Sequence, residues 1–313
     1  MTIDAKFPAP KLPQIRRSAD SDFFNRWARL FPSLFIIGFF MLAPILVVGT
    51  YSFLEADPYG GVRPNYSSAA YAQLVFEENL DGSWGFNPSY VKILWRSILI
   101  AGISTALCLI VGFPVAYYMA RQPVDKRNFL VLLITIPFWT NLLIRTYCWI
   151  LILRDTGLVN NSLISAGILD APFKMLYTNG AILLGLVYTF VPFMILPIYA
   201  SVERLDLRLL EAGHDLYATR WQVMREIILP LAKPGIIAGS ILVFIPCIGA
   251  FIAPDLLGGS KKLMIGSLIQ LQFSSSRNWP FGAAVTLVLL AFVLIVLMIY
   301  AMKSSGKKDL EAA

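Results

Sequence analysis

Six stretches of this chain contain no Asp, Glu, Lys or Arg: residues 30–54, 97–120, 128–144, 175–202, 234–254 and 278–302. Five of them meet or exceed the roughly 20 apolar residues that carry a helix across a hydrocarbon core. The exception, 128–144, reaches that length when it continues past Arg145 to Leu153. Only 14% of the chain is charged, against about 25% in a soluble domain. In lipid the backbone has no water to bond, so runs of this length are satisfied only as helices; barrel strands are shorter and alternate. The expected fold is therefore all-α and integral to a membrane, with six spans at about 31–53, 93–120, 128–152, 178–201, 234–256 and 281–302. Pro44, Pro114, Pro137, Pro192, Pro197 and Pro246 fall inside these spans and predict kinks.

The net charge of +7 is distributed as topology. With the N-terminus on the cytoplasmic side, that side carries 17 Lys and Arg residues and the opposite side 7, with Arg96 and Arg145 within or at the edge of spans. This asymmetry follows the positive-inside rule and places both termini in the cytoplasm. Residues 1–30 read as a basic cytoplasmic tail, in part a surface helix near Phe23, Phe24 and Trp27, and 303–313 as a short cytoplasmic tail. The first apolar run is too long for a cleaved signal and reads as an uncleaved span. Cys108, Cys148 and Cys247 all fall in spans and read as small packing residues, without a disulfide or metal site.

Between the fourth and fifth spans lies a polar island, residues 203–230, ERLDLRLLEAGHDLYATRWQVMREIILP. It holds nine charged residues and the chain's one histidine. Leu205, Leu209, Ala212 and Leu216 recur at steps of four, three and four, an apolar helical stripe, with Arg204, Arg208, Glu211 and Asp215 beside or opposite it. The pattern resets near Ala218, with Thr219 as an N-cap, and Trp221, Met224, Ile227 and Ile228 mark a second short helix before Pro230 and Pro234. Such a segment can lie on lipid headgroups, pack within the chain, or dock into a partner's groove. The anionic pair Glu211 and Asp215, four residues apart, fits a protein partner better than an anionic lipid surface.

The stretch EAGHDLYATRWQVMREIILP resembles the EAA motif of permease subunits of ATP-binding-cassette (ABC) importers. Glu211, Ala212, Ile227, Leu229 and Pro230 match it; Gly213 stands where Ala is usual, Met224 where Phe is common, and Tyr217 where the motif has a turn glycine. Such a glycine fits a left-handed turn because it has no Cβ, so Tyr217 questions the geometry of the turn. The segments IPFWTNLLIRTYCW (136–149), GLVYTFVPFMILPIY (185–199), PGIIAGSILVFIPCIGAFIAPDLLGG (234–259) and RNWPFGAA (277–284) extend the resemblance, most closely to spermidine/putrescine-type permeases. The resemblance implies a type I ABC importer permease fold in a bacterial inner membrane, with 203–230 as the coupling loop. Leu205, Leu209, Glu211, Ala212, Gly213, Asp215, Leu216, Tyr217 and Arg220 would then dock on an ATPase. It further implies two cytoplasmic ATPase subunits holding ATP and Mg, a second permease that is usually a paralogue, and a periplasmic or extracellular substrate-binding protein. Independently, the chain has no G-x-x-x-x-G-K-[ST] phosphate loop; its single Gly-Lys pair, Gly306–Lys307, is followed by Lys. This chain is thus expected to bind no cofactor itself and to be no enzyme.

Within the third span, Phe138, Asn141, Arg145 and Trp149 fall on one helical face. Arg145 either faces a bundle interior or reaches the outer headgroups, and Arg96, nearer its span's end, is expected to reach the headgroups. A small organic cation passing through needs carboxylates and aromatic faces. Trp139, Tyr147 and Asp255 are the contact candidates, with Asn141 and Arg145 beside them and Arg145 a possible partner for Asp255. Asp255 alternatively ends a helix. His214 stands alone in the docking segment and reads as solvated or partner-contacting. Two other readings stay open: import of another small solute, amino acid-derived or opine-like, and ATP-independent secondary transport. An intramembrane enzyme would need paired carboxylates, a histidine cluster or a nucleophile–base pair, which the spans lack.

Overall fold

A computed structural model of the chain describes residues 19–78, 84–259 and 262–311. It divides after Thr50. The first unit carries helix α1 (Ala19–Ser52), whose apolar part Leu30–Ser52 is long enough to span and ends just inside the second unit. The surface-helix expectation around Phe23, Phe24 and Trp27 falls on side chains outside the described ones.

Beyond the first span the second unit continues with two short hairpins. Strands β1 (Leu54–Ala56) and β2 (Val62–Tyr66) form one antiparallel hairpin, and β3 (Phe76–Glu78) and β4 (Trp84–Phe86) another, with the short helix α2 (Ala69–Ala72) between. The first turn is held by Asp57, whose carboxylate accepts from the Tyr59 N–H at 2.9 Å and from Arg63 Nε at 2.9 Å. Those two donors, the backbone one foremost, hold its pKa below the usual carboxylate value. The hairpin is fastened to the segment before the last span by a bond from Gly61 N–H to the Arg277 carbonyl.

Helices α3 (Ser89–Ala120), α7 (Asn179–Val202) and α10 (Leu229–Gly249) form the centre of this unit. Two cores run through them. One gathers Cys108, Ala116, Met119, Met194, Ile198 and Val243, and the other, towards the hairpins, Ile182, Leu186, Cys247, Leu257 and Phe281. Lipid is as apolar as leucine, so close helix approach in a membrane rests on small residues and van der Waals packing rather than on the hydrophobic effect. Gly235 supplies it here: a Cβ on Gly235 would sit 2.4 Å from the Pro197 carbonyl oxygen and 2.5 Å from Ser201 Oγ on α7. Cys108 and Cys247 are buried in these cores, whereas Cys148 is exposed and does not pack as expected.

Among the described residues, five helices are long and apolar enough to cross a membrane, and a bent pair makes a sixth when it is counted as one span. The fourth and sixth match their sequence limits closely, as Asn179–Val202 and Trp279–Met302, the latter the apolar part of α13 (Trp279–Glu311). The expected C-terminal tail thus continues that helix to Glu311. The second span starts earlier than expected, at Ser89, and carries Arg96 in its first turns. Arg96 donates to Asn179 Oδ1 at 2.9 Å, a contact with the start of α7 in place of headgroups alone.

Two expectations are corrected. The third span is not one helix: α4 (Val124–Trp139) stops, and a second arm, α5 (Leu142–Leu153) continued by α6 (Leu158–Ser165), leaves at 89°. Pro137 and Asn141 account for the break. Thr140 folds back on Pro137, its hydroxyl donating to that carbonyl at 2.7 Å, and Asn141 becomes the N-cap of α5, accepting from Leu143 N–H at 2.8 Å. The fifth span runs from Arg220 to Gly249 rather than from 234 to 256. At its far end Ala250 is extended, and α11 (Ile252–Gly258) and α12 (Ile265–Ser274) follow.

Because Gly235 lies against α7 backbone, Gly235→Leu is expected to lower the unfolding free energy in detergent by about 1–3 kcal/mol, the usual cost of overpacking. Gly38→Leu, where a Cβ meets nothing within 4 Å, should stay within about 0.5 kcal/mol of the parent in the same denaturation series.

Candidate functional site

The loop between α7 and α10 is a helix–turn–helix. Helix α8 (Leu207–Asp215) begins after Asp206, whose side chain accepts from Arg208 N–H at 3.0 Å. It ends in a left-handed turn: Tyr217 has φ 60°, and Ala218 N–H reaches back five residues to the Gly213 carbonyl at 3.1 Å. That is the Schellman closure, in which the left-handed position usually holds glycine. Tyr217 thus occupies the conformation the motif glycine would take, and its ring is 94% exposed.

Helix α9 (Arg220–Gln222) then starts from a capping box: Gln222 N–H donates to Thr219 Oγ1 at 3.3 Å and Thr219 N–H to Gln222 Oε1 at 2.7 Å. It does not stop as a separate short helix, which corrects the sequence expectation. A π-helical segment, Val223–Ile228, joins it without a break to α10. The cause lies in Pro230, which has no N–H to offer and whose ring crowds the preceding turn. One wider turn relieves this, with Leu229 N–H bonding five residues back to Met224. Helix α9 and the fifth span are therefore one continuous rod.

The predicted stripe divides. Leu205 precedes α8 and packs, half-buried, against the core containing Val202 and Met119. Leu209 and Ala212 are exposed on α8, Leu216 is exposed in the turn after it, and Trp221 on α9 is 73% exposed. Gly213 faces the other way and is buried; a Cβ there would lie 2.9 Å from Ile227 Cδ1 and 3.4 Å from Val223 Cγ2. The missing methyl lets α8 close on the π segment. Asp215 is exposed, while Glu211 and Arg220 line a cleft of about 560 Å³ with Tyr117, Arg121, Val223 and Met224. Arg121 donates to Tyr117 Oη at 3.2 Å and lies over that ring. The cleft was missed in the sequence because Arg121 there counted only towards topology. The side chain of His214 lies outside the described ones.

The second candidate group surrounds the break in the third span. Phe138 remains on α4, edge-on to Phe193 at 4.8 Å, so the single face through Phe138, Asn141, Arg145 and Trp149 does not form. Asn141 is occupied as a helix cap. Arg145 places its guanidinium 5.7 Å from the centre of the Tyr188 ring, and Trp149 meets the same ring edge-on at 5.5 Å. Trp139, at the end of α4, is 85% exposed, and Tyr147 is exposed on α5. Asp255 lies in the first turn of α11, which packs against α5 and α7 and brings its helix beside that of Arg145. Tyr188 was missed; its aromatic character had no partner in sequence until α5 and α7 met. No group of three or more His, Cys, Asp or Glu side chains able to hold a metal occurs among the described residues.

Residues 109–307 match the family described as the inner membrane component of binding-protein-dependent transport systems. The chain belongs to that family. Among its relatives, the spermidine/putrescine transport system permease protein PotB of Haemophilus influenzae is 44% identical over 262 residues, covering 84% of this chain and 88% of the relative. PotB of Escherichia coli K12 is 39% identical over 265 residues, 85% and 92% of the two chains. The E. coli inner membrane ABC transporter permease protein YdcU is 36% identical over 236 residues, covering 72% of this chain and 74% of its own. Of solved structures, a chain of a bacterial ABC transporter involved in alginate import superposes with a TM-score of 0.69 at 15% identity, covering 94% of this chain and 99% of that one. That likeness establishes the fold, and the protein is a multi-pass membrane permease with the type I ABC importer architecture.

The turn geometry makes a prediction. Tyr217→Val, a β-branched residue at positive φ, should raise local opening of the α8–α9 turn by about 1–2 kcal/mol. Tyr217→Gly should leave it within about 1 kcal/mol of the parent. Amide exchange at Ala218 reads both.

Proposed function

We propose that this chain is the permease subunit of an ATP-driven importer of polyamines such as putrescine or spermidine. The observation that carries the substrate class is its 44% identity over most of its length to a spermidine/putrescine permease. Residues 203–230 dock on a separate cytoplasmic ATPase: Leu209, Ala212, Leu216, Tyr217 and Trp221 offer an exposed apolar surface, with Glu211, Asp215 and Arg220 supplying charge around it. Both termini are cytoplasmic, on the same side as that loop. Two such ATPases bind ATP and Mg, a paralogous permease completes the pathway, and a periplasmic binding protein delivers the solute. ATP-driven approach of the ATPases pulls on α8. The motion enters the membrane directly, since α9, the π segment and α10 are one rod.

A polyamine crossing this chain exchanges water for aromatic faces and carboxylates. Trp139, Tyr147 and Asp255 serve as those contacts beside the break at Thr140–Asn141, with Tyr188 and Trp149 carrying Arg145. Selection of the solute rests mainly with the binding protein.

Two measurements test this reading in proteoliposomes holding the assembled importer. Glu211→Arg is expected to reduce ATP-dependent spermidine or putrescine uptake by roughly tenfold or more, about 1.4 kcal/mol of docking energy, and to weaken co-purification of the ATPase. Unchanged uptake and assembly would remove the docking role. Trp139→Ala should raise the half-saturating polyamine concentration about 2- to 30-fold, as expected for loss of a cation–π contact of about 0.5–2 kcal/mol.

A further inference from the structure

The inner turn RQPVDKR supplies one side chain that reaches three spans. Arg127, in the first turn of α4, is directed back towards the ends of α3 and α7, and its side chain is only 21% exposed. Nη1 donates to Glu203 Oε1 at 2.5 Å. Nη2 donates to the carbonyls of Ala120, the last residue of α3, at 3.2 Å and of Gln122 at 3.3 Å. Glu203 is the C-cap of α7, four residues ahead of the first residue of α8.

The arrangement runs against the electrostatics of isolated helices. A helix C-terminus carries unpaired carbonyls and partial negative charge, which a carboxylate makes worse. Glu203 nevertheless stands at that end of α7, and the open carbonyls of α3 face the same point. A guanidinium answers both at once, because its planar fork offers several donors in fixed directions where an ammonium is a point charge. Stability alone does not call for such a pair, since Glu203 is 37% exposed and an ion pair open to solvent on one side contributes little. Its location does call for an explanation: Glu203 begins the connection to α8, and Arg127 begins α4, whose far end is the bent region of the third span.

We propose that Arg127 and Glu203 are positioning residues that transmit movement of the coupling loop to α3 and α4. The rod from α9 to α10 already links the loop to the fifth span; this link carries the same movement to the second and third. It rests on the reading of 203–230 as the ATPase-docking loop. Without it, α8 moves while the bent third span stays behind, and ATP is consumed without solute transfer.

The test uses the assembled importer in proteoliposomes, with Arg127→Gln, Glu203→Gln and the double variant. Each is expected to retain the ATPase subunits and ATP hydrolysis within about twofold of the parent. Polyamine moved per ATP should fall about fivefold or more, the lower range of a coupling free energy between sites. The double variant should lose less than the product of the two single losses, because the residues act as a pair. A second readout is independent of the solute. Spin labels at Lys126→Cys and Arg208→Cys, in a Cys148→Ser background, should show a nucleotide-dependent distance distribution between α4 and α8 that Arg127→Gln alters. An unchanged uptake-to-hydrolysis ratio overturns the proposal, as does loss of the ATPase from the complex or strictly multiplicative losses. If the parent hydrolyses ATP but moves no polyamine, the substrate reading fails. The spin-label comparison then decides the link: an identical nucleotide response in parent and Arg127→Gln overturns it.

Discussion

Every backbone N–H and C=O of this protein that lies in lipid must find a partner within the protein. This requirement gives the long helices, and it also fixes what happens where they are interrupted. At Thr140–Asn141 the chain turns by 89° only because the Thr140 hydroxyl and the Asn141 side chain take over bonds that the helix gives up. At Pro230, where no N–H is available, the helix widens into a π turn rather than breaking. The same constraint therefore yields a hinge-like corner in one span and a rigid continuous rod in another.

Those two outcomes organise the mechanism. In the proposed mechanism, the stiff connection from Arg220 to Gly249 passes motion at the loop into the membrane. Gly235 and Gly239 press it against α7, where added side-chain atoms would meet Pro197, Ser201 and Met194. The corner at Thr140–Asn141 separates exposed Trp139, at the end of α4, from exposed Tyr147 on α5, so that the two lie on helices set at 89° rather than along one straight helix. Arg127 and Glu203 join the two regions at the end of the bundle nearest α8.

The site was legible in the sequence to uneven degrees. Glu211, Ala212, Ile227, Leu229 and Pro230 carried the family resemblance, and charge and apolar spacing marked 203–230 as a polar helical segment between spans. Leu205 misled because a periodic pattern does not say where a helix starts: Asp206 caps α8 after it, and Leu205 turns into the core. Phe138, Asn141, Arg145 and Trp149 misled for a related reason. Helical spacing predicts one face only if the helix is unbroken, and Asn141, read as a polar contact, is instead the cap that breaks it. Tyr217 was the departure hardest to interpret. Its φ of 60° keeps the turn that glycine would make, held by the bond from Ala218 to Gly213.

The sequence by itself determined that the chain is a bundle of membrane helices, about where most of them run, and that residues 203–230 form a polar segment between two of them. These follow from charge and hydropathy, which act locally and need no knowledge of neighbours. Tertiary structure alone decided the bend in the third span, the fusion of α9 with the fifth, the pairing of Arg145 with Tyr188, and the three-helix grip of Arg127. Each depends on which carbonyl or ring lies within about 3–6 Å in space, and Arg127 and Glu203, brought that close here, are 76 positions apart in the chain.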